Sequence, residues 1–210
     1  MFINTPKKPN ELKKVSHQTA NFYNRFSILY PLVDIFLKPQ KRKLFSEIND
    51  LPFGKLLEIG VGNGSHLPLY KTHEITGIDT SLSMLDIARN QKSNNVKLIE
   101  MNGENLLFED QSFDYIVLSH TIAVVDNPEK LLAESHRLLK PNGKIFILNH
   151  FTPKNWLRLV DYSFYFFSKI FHFKSVFHVE ELKTLEKFRL EKEINFGAFY
   201  YFKLLIYCKL

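Results

Sequence analysis

Cysteine is almost missing from this sequence, with Cys208 as its single representative. One thiol excludes an intrachain disulfide framework and a cysteine-ligated zinc site, and it suits a reducing compartment. Long apolar runs are missing too: no uninterrupted stretch reaches the ~18 residues that a membrane-spanning helix requires. The opening segment MFINTPKKPN has no apolar core after its lysines and predicts no secretory signal. The chain is therefore expected to be soluble or to lie on a membrane surface, on the cytoplasmic side. Histidines with metal-ligand spacing are also lacking. His17, His66, His73, His136, His172 and His178 are scattered, and each reads as a surface or core residue, so no metal is expected. Internal repeats and low-complexity tracts do not occur.

What is present is enough for one substantial core, since 45% of the 210 residues are apolar, and a single domain with extensions is the prior. The net charge of +6 is unevenly spread. Residues 1–50 hold nine Lys/Arg against four Asp/Glu, residues 51–150 nine against twelve, and residues 151–210 ten against six. Two basic ends thus flank a mildly acidic middle, and basic ends attract nucleic acid or anionic lipid.

The middle alternates in a way that indicates its fold class. Lys55–Ile59, Ile75–Asp79, Val96–Glu100, Phe113–Ser119 and Lys144–Asn149 are short, mostly apolar runs that read as buried parallel strands. Helical candidates lie between them at 64–70, at Leu82–Gln91 after the cap Thr80 or Ser81, and at Pro128–Leu139. The last has Asn127 as N-cap, Pro128 in its first turn and Lys140-Pro141-Asn142-Gly143 as its stop. Strands alternating with helices of this length predict a doubly wound, Rossmann-like α/β sheet. Leu185–Asn195 and Phe199–Lys209 complete seven strands, the last antiparallel.

The segment LLEIGVGNGSHLPLY, residues 56–70, carries the first chemical signal. A strand that ends at Glu58-Ile59 and turns through Gly60, Gly62 and Gly64 needs glycine where the backbone bends tightly or a ligand approaches closely. About twenty residues later Asp79 closes the second strand, where a carboxylate can accept hydrogen bonds from ribose hydroxyls. The pair describes a nucleoside site. Ser65 stands where a dinucleotide fingerprint wants glycine or alanine, and Glu58 places a carboxylate where it can face a cation.

With ITGIDTSLSMLDIAR and NGENLLFEDQSFDYIVLSHTIAVVDNPEKLLAESHRLLKPNGKIFILN, residues 55–150 resemble the core of the class I S-adenosylmethionine-dependent methyltransferases. The resemblance implies S-adenosylmethionine as cofactor. Glu58, Gly60, Gly62 and Gly64 would form the methionine-side loop, and Asp79, with Thr80 beside it, would hold the ribose. Ser81 to Met84 would lie along the adenine, Met84 offering an apolar face. Asn102, Gly103 and Glu104 fall where the family usually has Asp-Ala-Glu. Asn102 can accept from an exocyclic amine but lacks the charge of Asp, so binding of altered strength is expected. In doubly wound sheets the acceptor sits beyond the carboxyl ends of the strands, which singles out Ser119-His120-Thr121 and Asn149-His150-Phe151.

A narrower resemblance concerns the acceptor. YNRFSILYPLVDIF near the amino end, LNHF at residues 148–151 and the aromatic stretch 155–177 are similar to the bacterial phospholipid N-methyltransferases, relatives of the quinone C-methyltransferases. The organisation this implies is an N-terminal helical lid and acceptor-binding segment over residues 1–50. A methyltransferase domain follows over residues 51–210, with an aromatic insertion at 152–178. Tyr23 and Tyr30 would face the head group, where aromatic faces stabilise a nitrogen that becomes quaternary. His120, Asn149 and His150 would complete the catalytic set, the last two binding the phosphate or orienting the amine. The expected acceptor is phosphatidylethanolamine, methylated towards phosphatidylcholine, with a quinone or other small lipophilic acceptor as the alternative. A non-catalytic lipid- or protein-docking module is the reading from outside the enzymes. Peripheral membrane contact follows, because Lys/Arg near anionic lipid contribute ~1 kcal/mol each. Nucleic acid is not expected as a partner: Arg25, Arg42, Arg89, Arg137, Arg158 and Arg189 are isolated and form no arginine-rich groove.

Overall fold

The computed structural model describes residues 30–91, 96–150, 182–196 and 202–210, with side chains from residue 39 onward apart from that of His150. Tyr23, most of the amphipathic stretch 11–30 and the aromatic stretch 155–177 lie outside the described residues. The chain divides into two compact units, Met1–Pro39 and Gln40–Leu210. Helix α1, Tyr30–Asn49, contains Pro39 and runs across that division.

The second unit is built on one seven-stranded sheet. Its strands are β1 (Lys55–Ile59), β2 (Glu74–Asp79), β3 (Val96–Glu100), β4 (Phe113–Ser119), β5 (Leu139–His150), β6 (Phe188–Phe196) and β7 (Phe202–Lys209), in the order β3-β2-β1-β4-β5-β7-β6. The first five pair in parallel, while β7 is antiparallel to both β5 and β6. That is the doubly wound, Rossmann-like seven-stranded sheet expected from the sequence. Neighbouring residues on a strand point to opposite faces, so each apolar strand feeds two cores. Leu57, Ile59, Ile116, Leu118, Ile145 and Ile147 pack with Leu131, Leu132 and Leu138 of α3 (Pro128–Leu138). Leu56, Ile75, Val117, Phe146 and Leu148 pack on the other face with Leu44, Phe45 and Ile48 of α1 and with Leu85 and Ala88 of α2 (Leu82–Arg89).

Local signals set the boundaries. Asn127 caps α3 by accepting from the Lys130 amide at 3.0 Å, and Ser81 caps α2 by accepting from the Met84 amide at 3.4 Å. Three expectations are corrected. α3 ends at Leu138 and β5 already begins at Leu139, so Lys140-Pro141-Asn142-Gly143 belongs to the strand and the strand does not wait for Lys144. Residues 64–70 do not form an α-helix: after Gly64, at φ 68°, the chain makes i→i+3 bonds through a 3-10 turn at Leu67–Leu69. A left-handed residue followed so soon by Pro68 leaves no room for α-helical propagation. The run from Leu185 is likewise not strand throughout, because Lys183–Lys187 is a second 3-10 turn and β6 starts at Phe188. Glu129 of α3 dictates that turn, accepting from the Lys183 and Thr184 amides at 2.6 and 3.0 Å and from the Thr184 hydroxyl.

Arg137 pins the link between β3 and β4. Its guanidinium donates to the carbonyls of Leu106 and Phe108 at 2.8 and 2.9 Å and pairs with Glu134 and Asp110. Donation from Arg137, opposed by partial burial and aided by the Leu106 amide, holds the Glu134 carboxyl below the usual range. The hydrogen bond from Thr184 does the same for Glu129, and Lys144 for Glu191. A carboxylate whose pKa is lower folded than unfolded stabilises the fold above its unfolded pKa and loses that contribution as pH falls through the folded value. Melting temperature is therefore expected to drop on acidification from about pH 7 to about pH 3, and Glu129→Gln to flatten that drop. Parallel melting curves of the two proteins would contradict the assignment.

Candidate active site

The carboxyl ends of the parallel strands open where the strand order reverses, between β1 and β4, which is where ligands bind in doubly wound sheets. The loop after β1 is folded over β2: the Gly60 and Val61 amides both donate to the Ile78 carbonyl, at 2.8 and 3.1 Å. Gly60, Gly62 and Gly64 all lie at positive φ, 83°, 53° and 68°. Two of them are also forced by crowding. A Cβ on Gly60 would sit 2.5 Å from Thr121 Oγ1, and one on Gly64 would sit 2.6 Å from the Ala88 Cβ. Gly62 differs, because nothing lies within 4 Å of where its Cβ would be. Its bare backbone faces open space, the geometry that lets a ligand come close.

Asp79 closes β2 and braces this loop. Its Oδ2 accepts from the Gly62 amide and its Oδ1 from the Ser81 amide, each at 2.9 Å. A carboxylate has about four acceptor positions, so two bonds leave capacity for ribose hydroxyls on a side chain that is only half-buried. Thr80 follows it, exposed, and Met84 is half-buried on the first turn of α2. In the loop after β3, Asn102 is exposed and its Oδ1 accepts from the Glu104 amide at 2.8 Å. Gly103 is buried where a Cβ would meet Ile59 Cγ2 at 2.6 Å, and Glu104 accepts from the Asn127 amide at 3.0 Å. These residues line up along the ends of β1 to β3.

The ends of β4 and β5 bring the remaining candidates alongside. Ser119 is half-buried, and its carbonyl accepts from the Thr121 hydroxyl at 3.2 Å. His120 has a left-handed backbone, φ 59°, uncommon for a side chain with a Cβ and typical of functional turns. Its amide donates to Leu148 at 2.7 Å, and its ring meets Phe202 edge-on with centroids 6.0 Å apart. Asn149 is buried on β5, in register with Lys203, and His150 ends that strand in register with Phe202. Tyr30 is the first residue of α1.

The sequence assigned no role to His66 or Tyr70, both of which the structure brings to Glu58. Glu58 is 1% exposed, and its two oxygens accept from His66 Nε2 at 2.8 Å and from the Tyr70 hydroxyl at 2.9 Å. Thr121 locks the loop by donating to the Ile59 carbonyl at 2.8 Å. The Tyr70 hydroxyl is held well above its ordinary pKa by burial first and by the Glu58 carboxylate second, so it stays a donor. Removing it in Tyr70→Phe leaves a buried carboxylate one donor short, for an expected loss of about 1–3 kcal/mol in unfolding free energy. Chemical denaturation measures it, and an unchanged midpoint would contradict the role.

Among the described residues no group of His, Cys, Asp and Glu could hold a metal ion, and no helix is long and apolar enough to cross a membrane. A hollow lined by Glu47, Lys144, Glu191 and Lys192 lies at the other end of β5, but its charges are paired with one another. The crevice at the β1 and β2 ends is different. It combines open backbone at Gly62, a partly free carboxylate at Asp79 and a buried anion at Glu58, which suits a nucleoside with a cationic end.

Comparison with known proteins agrees. Residues 57–147 match the family model described as a methyltransferase domain. A phosphatidylethanolamine N-methyltransferase from Cereibacter sphaeroides is 38% identical over 104 residues, 47% of this chain and 51% of that protein. A ubiquinone/menaquinone biosynthesis C-methyltransferase from Rickettsia prowazekii is 29% identical over 167 residues, 71% of this chain and 67% of that protein. The chain thus spans about half the length of the first of these relatives. A solved Thermotoga maritima structure, described as a methyltransferase dependent on S-adenosylmethionine and a possible histamine N-methyltransferase, superposes with a TM-score of 0.72. It is 24% identical, and the match covers 92% of this chain and 99% of that one. S-adenosylmethionine is the methyl donor that such a domain implies. Residues 57–147 thus match a methyltransferase domain, and the chain has the fold of the S-adenosylmethionine-dependent methyltransferases.

Proposed function

We propose that this protein is an S-adenosylmethionine-dependent methyltransferase that methylates the amine of the phosphatidylethanolamine head group, towards phosphatidylcholine, at a membrane surface. The observation that carries the acceptor is the 38% identity to a phosphatidylethanolamine N-methyltransferase. It is supported by the positions of His120, Asn149 and His150 in sequence at the carboxyl ends of β4 and β5, the side on which doubly wound sheets bind their substrates.

S-adenosylmethionine supplies an electrophilic methyl group on a sulfonium sulfur. Attack by an amine lone pair would break the carbon–sulfur bond with its electron pair going to sulfur, and because each attack requires a neutral amine, the head-group ammonium would lose one proton beforehand. Little acid–base machinery is needed, and the protein contributes chiefly alignment and exclusion of water. Glu58, Gly60, Gly62, Gly64, Asp79, Thr80, Met84, Asn102, Gly103, Glu104 and Ser119 form the donor side in this reading. In this reading His120 and His150 would accept the released proton, and Asn149 would orient the amine by a hydrogen bond. Tyr23 and Tyr30, in an N-terminal segment covering residues 1–50, would face the nitrogen as its charge becomes permanent. The basic ends and the aromatic insertion at 152–178 would contact the membrane.

Expression in a bacterium that makes no phosphatidylcholine tests the acceptor. Mono-, di- or trimethylated ethanolamine lipids are the expected products. A folded, donor-binding protein that yields none overturns the phospholipid reading. Methylated quinone in the same extracts would support the other acceptor, which the Rickettsia prowazekii relative favours.

A further inference from the structure

Glu58 is the residue that the family resemblance sets towards the donor, yet the structure places it behind His66. Its carboxylate is 1% exposed, with one oxygen taken by His66 and the other by Tyr70. The His66 side chain is 12% exposed and belongs to the same loop as Gly62 and Gly64. Phe45 holds the ring from behind, stacked at 5.8 Å between centroids, and meets Tyr70 edge-on at 4.8 Å. An ionised carboxylate only accepts, so Nε2 must carry the hydrogen of that 2.8 Å bond. The outer nitrogen, Nδ1, is then an acceptor in the neutral ring. It makes no hydrogen bond among the described residues and is not buried.

We propose that His66 Nδ1 is the group that reads the α-ammonium of the methyl donor, with Glu58 and Tyr70 as positioning residues that fix its tautomer and orientation. The assignment rests on the donor reading above. The chemistry is that of a carboxylate–histidine pair, in which the buried carboxylate fixes the tautomer and the orientation of the ring and leaves its far nitrogen as the acceptor. It makes His66, not the glycines, the residue that distinguishes a nucleoside with an amino-acid tail from one without. A carboxylate presented directly would be more exposed to water and to competing cations. Held behind an imidazole, it acts on the ligand through one directed acceptor.

Titration calorimetry separates this from a structural role. Wild type, His66→Ala and His66→Gln are each titrated with S-adenosylmethionine and with 5′-methylthioadenosine, which keeps the nucleoside and lacks the amino-acid tail. His66→Ala is expected to weaken S-adenosylmethionine by about tenfold or more and to leave methylthioadenosine within about twofold. His66→Gln, whose amide can donate to Glu58 and accept from the ammonium, is expected to recover part of the loss. A donor lacking only the carboxylate should lose as much as the complete one. Equal loss on both nucleosides, or no loss on S-adenosylmethionine, overturns the role of His66 while leaving the donor site standing. If wild type binds neither nucleoside, the donor reading itself falls.

Discussion

Asp79→Ala is expected to weaken S-adenosylmethionine binding by about 1–3 kcal/mol, roughly 5- to 150-fold. The loss has two sources. The free acceptor positions on the carboxylate disappear for the ribose, and the amides of Gly62 and Ser81, each 2.9 Å from an Asp79 oxygen, lose the acceptor that sets the loop over β2. Asp79→Asn keeps one accepting oxygen and should fall between wild type and the alanine variant. Because the side chain is half-buried, water can satisfy the freed amides, and global stability should change far less than affinity. Calorimetry on both variants checks the prediction, and unchanged affinity in Asp79→Ala would mean that the nucleoside lies elsewhere.

Gly64→Ala and Gly62→Ala should separate in the opposite sense. At Gly64 the added methyl group would meet the Ala88 Cβ at 2.6 Å, Leu67 Cδ1 at 2.8 Å and the Ala88 Cα at 2.9 Å, on a backbone at φ 68°. Overpacking of about 1–3 kcal/mol adds to about 1–2 kcal/mol of left-handed strain, for a total loss of about 2–5 kcal/mol. In a chain of this size that lowers the melting temperature by roughly 4–20 °C. At Gly62 only the φ of 53° opposes alanine, since its Cβ would meet nothing within 4 Å. That variant should stay folded and lose donor affinity, because the methyl group occupies the space through which the ligand approaches. Equal thermal shifts in the two variants would contradict a ligand-facing Gly62.

The parts of this fold that were legible in sequence are those decided by local chemistry. β1, β3 and β4 begin and end where apolar runs meet glycine, acid or turn residues, and α3 begins at its Asn127-Pro128 cap. Glycine spacing with Asp79 twenty residues on also located the crevice, since each signal sits on a strand end. Contacts made across the fold left no such trace. Thr121 reaches Ile59 over 62 positions, Glu129 reaches Thr184 over 55, and the Arg137 staple joins α3 to the loop after β3. His66 read as one scattered histidine because its partner Glu58 lies across a turn expected to be helical. What the sequence did not show is that His66 and Tyr70 converge on one buried carboxylate eight and twelve positions earlier in the chain.

If the loop after β1 and the carboxylate at the end of β2 hold a sulfonium nucleoside, a crystal grown in excess S-adenosylmethionine will show ribose hydroxyls on Asp79, backbone contact at Gly62 and the amino-acid end at His66. Density for the nucleoside anywhere else, or a crevice filled by the protein's own side chains, would contradict it.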